Sequence, residues 1–257
     1  MDKKIIYYTD PLNDEFAGEN LQAKKIGVEY KYIRSGFFAS IHHFFWYHVI
    51  FRPFSFIYLK LKFHHRIEGK EKLKPYKKEA YYMYGNHTLQ YGDPYIYQFM
   101  SHKEKYVITN ATNVSLPVIG KLTPYLGALP LPDDMHAYKN FLEALEYHEN
   151  KKHVLVIYPE AHIWPFYTHI RPFKDDSFAY PLKHGIKTFC FTNTFQKRGK
   201  KGYRVVTYID GPFECEGNDL KSKRKDLRDK VYCAMVERSK LSNIELIQYV
   251  KKEEKDD

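Results

Sequence analysis

Residues 80–93 read AYYMYGNHTLQYGD, in which a short apolar run passes directly into a polar loop. Runs of this length that are rich in aromatic and branched residues are typical of buried β-strands. Four further runs have the same character: KYVIT at 105–109, VLVIY at 154–158, KTFCFTN at 187–193 and YRVVTYI at 203–209. Because helical patterns separate several of these runs, we predict an α/β domain with a mostly parallel central sheet flanked by helices.

Two helices are predicted between and after these strands. The first carries apolar residues at the i, i+3, i+4, i+7 spacing of one helix face, namely Tyr138, Phe141, Leu142 and Leu145. Asp133 or Asp134 is available to cap its amino-terminal end. The second runs from about residue 220 to 238 and places three apolar residues on one side: Leu227, Val231 and Met235. Each helix therefore offers one apolar face for packing.

The composition indicates a water-facing globular protein rather than a polytopic membrane protein, because 44% of the 257 residues are hydrophobic and 28% are charged. The net charge of +10 favours contact with a polyanion. We find no RNP, zinc-finger or helix-turn-helix signature, so we expect an anionic membrane surface as the partner and no nucleic acid. The aromatic content of 17% also favours lipid contact, because Tyr and Trp concentrate at the edges of bilayers.

The cysteines and the amino-terminal residues indicate the cellular compartment in which we expect the protein. Cys190, Cys215 and Cys233 form no CxxC pair, so the sequence indicates neither a disulfide framework nor a thiolate zinc site. The first residues, MDKKIIYYTDPLNDE, lack the apolar run of a signal peptide. We therefore expect a cytoplasmic protein that is peripheral at the inner face of a membrane.

The chain divides into four segments: a polar, extended or partly ordered lead-in at 1–34, an aromatic helical hairpin at 35–63, an α/β domain at 64–239 and a charged tail at 240–257. The last run of the tail, KKEEKDD, is typical of a frayed or disordered terminus. Residues 35–51, SGFFASIHHFFWYHVIF, contain no Asp, Glu, Lys or Arg. Pro53 is expected to interrupt the helix before a second apolar stretch, FSFIYLKLKF. We expect this hairpin to lie in the membrane interface. The alternatives are a helix packed on the core of the domain and a transmembrane span.

The motif GNHTLQYGD, residues 85–93, follows a predicted strand at the edge where open α/β sheets place their sites. The carboxylate of Asp93 can fix the tautomer of His87 and leave its other nitrogen free to take a proton from a hydroxyl. Alternatively, Asp93 begins a helix before Pro94, and His87 is an ordinary loop histidine.

A second motif, VLVIYPEAHIWP at 154–165, also runs from a strand into polar residues, Glu160 and His162. Glu160 would face the same cleft as His87, where it either orients hydroxyls of a substrate or holds a loop by accepting backbone N–H groups. Three cations follow, either as donors to a phosphate or carboxylate or as ordinary surface charges: Arg171, Lys174 and Lys183.

Five segments occur in a fixed order: NHTLQYGD, LGALPLPDD, YPEAHIWP, RPFKDDSFAYPLKHG and IKTFCFTNTF. Their order resembles that of the glycerolipid acyltransferases of the lysophosphatidate acyltransferase superfamily, which carry NH-x4-D, GA…DR, FPEGTRS and FKxG segments and then a hydrophobic strand. The resemblance extends over about residues 79–238, and the chain resembles a divergent member. It implies His87 as the general base, Asp93 as the carboxylate that orients it, and a substrate side formed by Asn86, Glu160 and His162.

The chain departs from that pattern between the histidine and the aspartate. Five residues instead of four separate His87 from Asp93, so a local bulge at Gly92 is needed to restore their contact.

A second departure concerns the acceptor phosphate. Asp133 and Ile163 occupy the positions of the two arginines that the family pattern carries. We therefore expect Arg171 and Lys174 to bind the acceptor in their place, or an acceptor that is not a phosphate ester.

The resemblance implies direct transfer of a fatty-acyl group to a hydroxyl, without an acyl-enzyme. The histidine would deprotonate the acceptor as it attacks the thioester of acyl-CoA or of an acyl-carrier protein, while backbone N–H groups stabilise the oxyanion. The expected acceptor is a lysophospholipid-type precursor such as lysophosphatidate, and neither a metal nor another cofactor is required. One alternative is a non-catalytic membrane lipid-binding protein on the same fold. The other is a metal-dependent hydrolase that uses His87, Asp93, His162 and His169.

Overall fold

A central sheet organises the protein, as seen in a computed structural model that describes residues 4–16, 23–117, 119–200 and 202–252. The strands of these residues are β1 (Lys4–Tyr8), β2 (Arg66–Glu68), β3 (Tyr81–Gly85), β4 (Lys105–Thr109), β5 (Ala128–Pro130), β6 (Val154–Ile157), β7 (Lys187–Arg198), β8 (Gly202–Phe213) and β9 (Ile247–Lys251). Seven of them form one sheet in the order β2-β8-β7-β3-β6-β4-β5. Neighbouring strands are parallel except for the β7–β8 pair. The predicted mostly parallel α/β sheet is confirmed, and it contains all five predicted strands.

Helices pack on this sheet. The α-helices are α1 (Phe37–His43), α2 (Arg52–Phe63), α3 (Asp93–Ile96), α4 (Thr112–Ser115), α5 (Met135–Asn150), α6 (Ala179–Lys183) and α7 (Leu220–Ser239). A π-helix, Phe44–Phe51, joins α1 to α2, and short 3₁₀ helices lie at Lys70–Tyr76, Tyr97–Phe99, Ile119–Lys121, Thr123–Leu126 and Asp176–Phe178. Both predicted helices are confirmed. The Asp134 side chain caps α5 by accepting a 2.8 Å hydrogen bond from the Ala137 N–H, and Asp219 and Ser222 form a capping box on α7.

All five residues of strand β3 are buried. Because consecutive side chains of a strand point to opposite sides of the sheet, both faces of β3 are covered. Tyr82 and Tyr84 face a core that α5 and α7 complete. Tyr81 and Met83 face a second core, to which α2 contributes. A strand packed in this way is held firmly in register, and so is the loop that leaves its carboxyl end.

The aromatic segment at 37–63 is one continuous helical segment rather than a hairpin. His43, Phe44, Phe51 and Arg52, which flank the junctions of α1, the π-helix and α2, all have right-handed helical backbone angles. Pro53 lies where the π-helix passes into α2, and the residues before it, Phe51 and Arg52, keep right-handed helical angles, so the helix continues through this position. The predicted break at Pro53 is therefore wrong.

One face of this helical segment packs on the domain through Tyr47, Ser55, Leu59 and Phe63, all buried. The opposite face carries large apolar side chains, each between 42% and 84% exposed: Phe37, Phe38, Ile41, Phe44, Phe45, Val49, Ile50, Phe54, Phe56, Ile57 and Leu61. Within the described ranges, no helix is both long enough and apolar enough to cross a bilayer. Packing on the core therefore accounts for only one face of the segment.

The two ends of the chain pair with each other. Strand β1, in the lead-in, is parallel to β9, with Lys4 opposite Ile247. Strand β9 lies in the predicted charged tail. The prediction of a frayed KKEEKDD run is wrong for Lys251, which belongs to β9, while 253–257 lie outside the described residues. The Trp164 ring contacts Tyr8 and Tyr249 at centroid distances of 4.8 and 5.0 Å. The paired ends thus pack against the loop that follows β6.

Gly85, the last residue of β3, is covered by an aromatic ring. A Cβ atom at this position would lie 2.0 Å from Cζ of Phe191, which is fully buried. We expect Gly85→Ala to lower the free energy of unfolding by about 1–3 kcal/mol, because the ring has no room to move. Urea unfolding followed by circular dichroism measures this change.

Gly27→Ala is the matched control, because a Cβ atom there would lie 4.0 Å from its nearest neighbour, Asp134. We expect its unfolding free energy to stay within about 0.5 kcal/mol of the parent value. Adding Phe191→Leu to Gly85→Ala should recover part of the loss. Equal stability of Gly85→Ala and the parent would contradict the close packing described here.

Candidate active site

His87 and Asp93 lie together at the carboxyl edge of the sheet. His87 follows β3, and its Nδ1 atom is 2.7 Å from Oδ2 of Asp93. Because a carboxylate only accepts hydrogen bonds, Nδ1–H donates, and in the neutral ring Nε2 carries the lone pair. The structure therefore supplies the contact on which the predicted histidine–aspartate pair depends.

A tight turn accommodates the additional residue between them. The C=O of Leu89 accepts hydrogen bonds from the N–H groups of both Gly92 and Asp93, each at 2.8 Å. The backbone of Gly92 has an ordinary φ of −121°, but a Cβ atom there would lie 2.9 Å from Cβ of Leu89. The turn thus needs glycine for space rather than for a left-handed conformation.

Asp93 is held from several sides and is only 1% exposed. Its Oδ2 accepts from the Leu89 N–H at 2.9 Å, and the Asn193 side-chain amide lies 3.4 Å from its Oδ1. The Tyr158 hydroxyl donates to its backbone C=O at 2.8 Å. Burial raises the pKa of Asp93, and the hydrogen bond with His87 opposes that rise. The carboxylate is therefore directed at His87 and not at solvent.

The imidazole of His87 is supported on one side and accessible on the other. Its ring stacks on Tyr158 with a centroid distance of 4.5 Å and an interplanar angle of 22°. The His87 side chain remains 23% exposed. A ring that is oriented by a carboxylate and still reachable can accept a proton from the hydroxyl of a bound molecule. The arrangement suits general-base chemistry.

Glu160 holds two loops together and does not face an open cleft. Its Oε2 accepts from the His87 N–H and its Oε1 from the Arg171 N–H, both at 2.9 Å. It is 4% exposed, and burial raises the pKa of its carboxyl although Arg171 opposes the rise. The predicted contact with a substrate is therefore corrected: of the two roles considered, Glu160 has the loop-holding one, because both oxygens already accept backbone N–H groups.

Arg171 is also corrected as a predicted phosphate ligand, since it is only 1% exposed. Its guanidinium donates to the C=O of Glu160 at 3.0 Å, to the C=O of His162 and to the C=O of Pro11 at 3.4 Å. These N–H donors of the guanidinium therefore bind backbone carbonyl groups of the protein itself. Lys174, the other predicted ligand, is exposed on the surface.

Asn86 and His162, both predicted on the substrate side, contact other parts of the chain. The Asn86 side chain donates to the Asn193 C=O at 3.1 Å and accepts from its N–H at 2.7 Å. It therefore fastens the end of β3 to β7, which corrects its predicted role. His162 is about one-third exposed and lies 3.5 Å from the carboxylate of Glu15, in the amino-terminal segment.

Two residues of the site, Tyr158 and Asn193, were not singled out in the sequence. Asn193 is a polar residue on the face of β7 that otherwise carries Phe189, Phe191 and Phe195. This interruption of an apolar alternation was the available signal for Asn193. Tyr158 ends the predicted strand VLVIY, and no pattern distinguishes it from its apolar neighbours.

The predicted metal cluster of a hydrolase is not formed in the part of the chain that the structure describes. Metal-ligand spacing is found there for His43, His48 and Glu104, and not for a set built on His87. His169 is exposed, with its ring 5.6 Å from that of Tyr167. The geometry therefore gives no support to the metal-dependent hydrolase.

An open, apolar groove of about 420 Å³ lies on α2, beside the helix that begins with Asp93. The ring of Tyr58 in this groove is 5.3 Å from Tyr95 of α3. The groove is lined by Phe54, Ile57, Tyr58, Leu61 and Lys62. It offers an apolar surface for an alkyl chain beside α3.

Comparisons with known proteins identify a similar fold. No protein-family model matches the sequence, and no curated protein matches it. Among solved structures, the chain is similar to the crystal structure of the 1-acyl-sn-glycerophosphate (LPA) acyltransferase, PlsC, from Thermotoga maritima. The TM-score is 0.54 at 17% sequence identity, and the match covers 79% of this chain and 78% of that chain. The resemblance seen in the sequence therefore holds at the level of the fold.

We expect Asp93→Ala to release the tautomer of His87. Oδ2 of Asp93 is the acceptor that holds the hydrogen on Nδ1 of His87. Without this oxygen the neutral ring can carry its hydrogen on either nitrogen, so the exposed Nε2 no longer keeps the lone pair at all times. ¹⁵N NMR of histidine-labelled protein measures the tautomer, with the His87 signals assigned from His87→Gln.

Asp176→Ala is the control, because this carboxylate is 75% exposed. It should leave the His87 signals in place. A lone pair that stays entirely on Nε2 in Asp93→Ala would contradict the role of Asp93 in fixing the tautomer.

Proposed function

We propose that this protein transfers a fatty-acyl group from acyl-CoA or an acyl-carrier protein to a hydroxyl of a glycerophospholipid precursor such as lysophosphatidate. The observation that carries the proposal is the 2.7 Å hydrogen bond between His87 and Asp93. The pair lies at the carboxyl edge of a sheet whose fold is similar to that of an LPA acyltransferase. Fold similarity alone does not assign an activity, so the proposal depends on this pair.

In this proposal the acyl group moves directly from the thioester sulfur to the acceptor hydroxyl oxygen. Nε2 of His87 accepts the proton of the acceptor hydroxyl while the hydroxyl oxygen attacks the thioester carbon. The new C–O bond forms, the C–S bond breaks, and the thiolate takes the proton from the imidazolium, so that a free thiol is released. Asp93 stabilises the imidazolium and keeps the ring in place.

The proposed exchange does not pass through an acylated Cys190. Cys190, on β7, is fully buried, and burial raises the pKa of its thiol. The thiolate, which is the nucleophilic form of cysteine, is therefore disfavoured at this position.

The groove on α2 is the proposed site for the acyl chain. Its lining is apolar except for Lys62, whose ammonium group offers a positive charge to a phosphate. Because Arg171 serves the backbone, an exposed cation such as Lys62 or Lys174 is the better candidate for an acceptor phosphate.

The protein works, in this proposal, as a peripheral enzyme on an anionic membrane. The exposed apolar face of the helical segment at 37–63 supports this placement, because a large apolar patch on a soluble surface marks an interaction site. The net charge of +10 adds attraction to acidic headgroups.

We expect His87→Ala to reduce acyl transfer to lysophosphatidate by roughly 10²- to 10⁴-fold, because the general base is removed. The assay follows release of free thiol from acyl-CoA together with formation of the diacyl product. Circular dichroism checks that the variant is folded.

His169→Ala is the matched control, since this histidine is exposed, and its turnover should stay within about 2-fold of the parent. Unchanged turnover in His87→Ala would remove His87 as the base. A parent protein that binds lipid but consumes no thioester would favour the non-catalytic lipid-binding protein.

We expect the double variant Phe38→Asp, Leu61→Asp to lose binding to vesicles that contain phosphatidylglycerol. These side chains are 84% and 73% exposed, and each contributes about 1.5–3 kcal/mol if it inserts into the acyl boundary. The bound fraction in a vesicle flotation assay should fall at least about 10-fold.

Leu220→Asp is the control for added charge, because Leu220 is 55% exposed at the start of α7. It should bind vesicles as the parent does. Equal flotation of the double variant and the parent would show that the helical segment is not the membrane contact.

A further inference from the structure

A group of histidines surrounds Glu104 at the amino-terminal edge of the sheet, opposite to the candidate active site. Glu104 directly precedes β4 and His153 directly precedes β6, and these two strands are neighbours. His43 and His48 reach the same place from the helical segment. The Nε2 atoms of His43, His48 and His153 lie 3.4, 3.0 and 3.5 Å from carboxylate oxygens of Glu104. We call these four residues the histidine cluster.

The π-helix places His43 and His48 on one face. In an α-helix, residues five positions apart point in different directions, whereas i→i+5 hydrogen bonding stacks them one above the other. The Arg52 N–H donates to the Tyr47 C=O in this pattern. The rings of His43 and His48 are consequently 6.0 Å apart. Single π-helical turns occur frequently at functional sites.

The tautomer of His43 leaves a nitrogen available at the cluster. Its Nδ1 lies 2.8 Å from the C=O of Tyr125, which only accepts, so Nδ1 carries a hydrogen, and in the neutral ring Nε2 carries the lone pair. Among the described residues, this buried Nε2 has no hydrogen-bond partner, although Glu104 is near. Imidazoles that bind metals are usually oriented in this way, by donating the second N–H to a backbone carbonyl.

His153 is oriented by a comparable contact. Its Nδ1 is 3.0 Å from Nδ1 of His148, which is 4% exposed and stacks on Tyr106 at a centroid distance of 3.6 Å. In the tautomer in which Nδ1–H of His153 donates to His148, Nε2 of His153 carries a lone pair on the side of Glu104. Three imidazole nitrogens therefore lie within 3.5 Å of the same carboxylate, that of Glu104.

We propose that His43, His48 and Glu104, with His153 as the fourth ligand, bind a transition-metal ion of the Zn²⁺ class. The ligand atoms of the first three residues lie within 4.8 Å of one another. Nitrogen and carboxylate donors at bond lengths of about 2.0–2.2 Å are the usual set for zinc. Tetrahedral bonding at these lengths places ligand atoms roughly 3.3 Å apart, so small side-chain rotations complete the site.

The bound ion would fasten the helical segment to the α/β domain. Tyr47 already links the two parts, because its hydroxyl accepts from the Lys105 N–H at 2.9 Å and donates to Gln98 at 2.8 Å. The four side chains of the cluster are 19–29% exposed, so an ion can enter from solvent. The proposal shares no residue with the histidine–aspartate pair and does not depend on acyl transfer.

Metal titration of the tag-free, chelator-treated protein tests the site. We expect one Zn²⁺ per chain by calorimetry, a rise in unfolding temperature with Zn²⁺, and visible absorption bands of tetrahedral Co²⁺. His48→Ala and Glu104→Gln should each weaken Zn²⁺ binding at least about 10-fold, since even residues behind the ligands have effects of that size. His136→Ala, an exposed histidine on α5, is the control and should bind as the parent does.

Circular dichroism checks that His48→Ala is folded. Because His48 is partly exposed, we expect the fold to tolerate this substitution. Equal Zn²⁺ affinity in the parent and in His48→Ala would mean that the cluster is only a set of ion pairs around Glu104, and the proposal would be wrong. Loss of Zn²⁺ binding in His87→Ala with retention in His48→Ala would also overturn it, because the ion would then belong to the other edge of the sheet.

Discussion

The parallel pairing of β3 with β6 is the interaction on which the candidate site depends. Both strands are buried on both faces, so a shift of one residue would exchange the two cores. Their carboxyl ends consequently stop at one edge, with Tyr84 opposite Ile157. His87 leaves from one strand and Glu160 from the other, and the hydrogen bond between the His87 N–H and the Glu160 carboxylate spans the short distance that this register sets.

Burial decides which polar residue of this edge is available for chemistry. Asp93, Glu160 and Arg171 are almost excluded from water, and a buried charge without partners is costly. Each one has hydrogen-bond partners inside the protein, either backbone groups or the His87 ring. His87 alone among these four keeps a partly exposed side chain, so the buried groups position it and a substrate reaches it.

The helical segment at 37–63 has residues near both edges of the sheet and an apolar face on the surface of the protein. Its exposed apolar face and the groove on α2 lie near α3, which begins with Asp93, while His43 and His48 face Glu104 at the other edge. The π-helix makes this double role possible, because it changes which residues share a face within one uninterrupted helical segment.

The sequence by itself determined the five strands, the two longer helices and the positions of His87 and Asp93 after β3, because periodicity and strand-end polarity are properties of consecutive residues. The tertiary structure decided what Asn86, Glu160 and Arg171 do. Their side chains were predicted to face a substrate, yet each bonds to backbone of a distant segment, Asn86 to Asn193, Glu160 to His87 and Arg171 to Pro11. Pairing of β1 with β9 was likewise absent from local patterns. The physical reason is that periodicity records which face of an element is buried, whereas the partner of a buried polar group is set by elements that arrive from elsewhere in the chain.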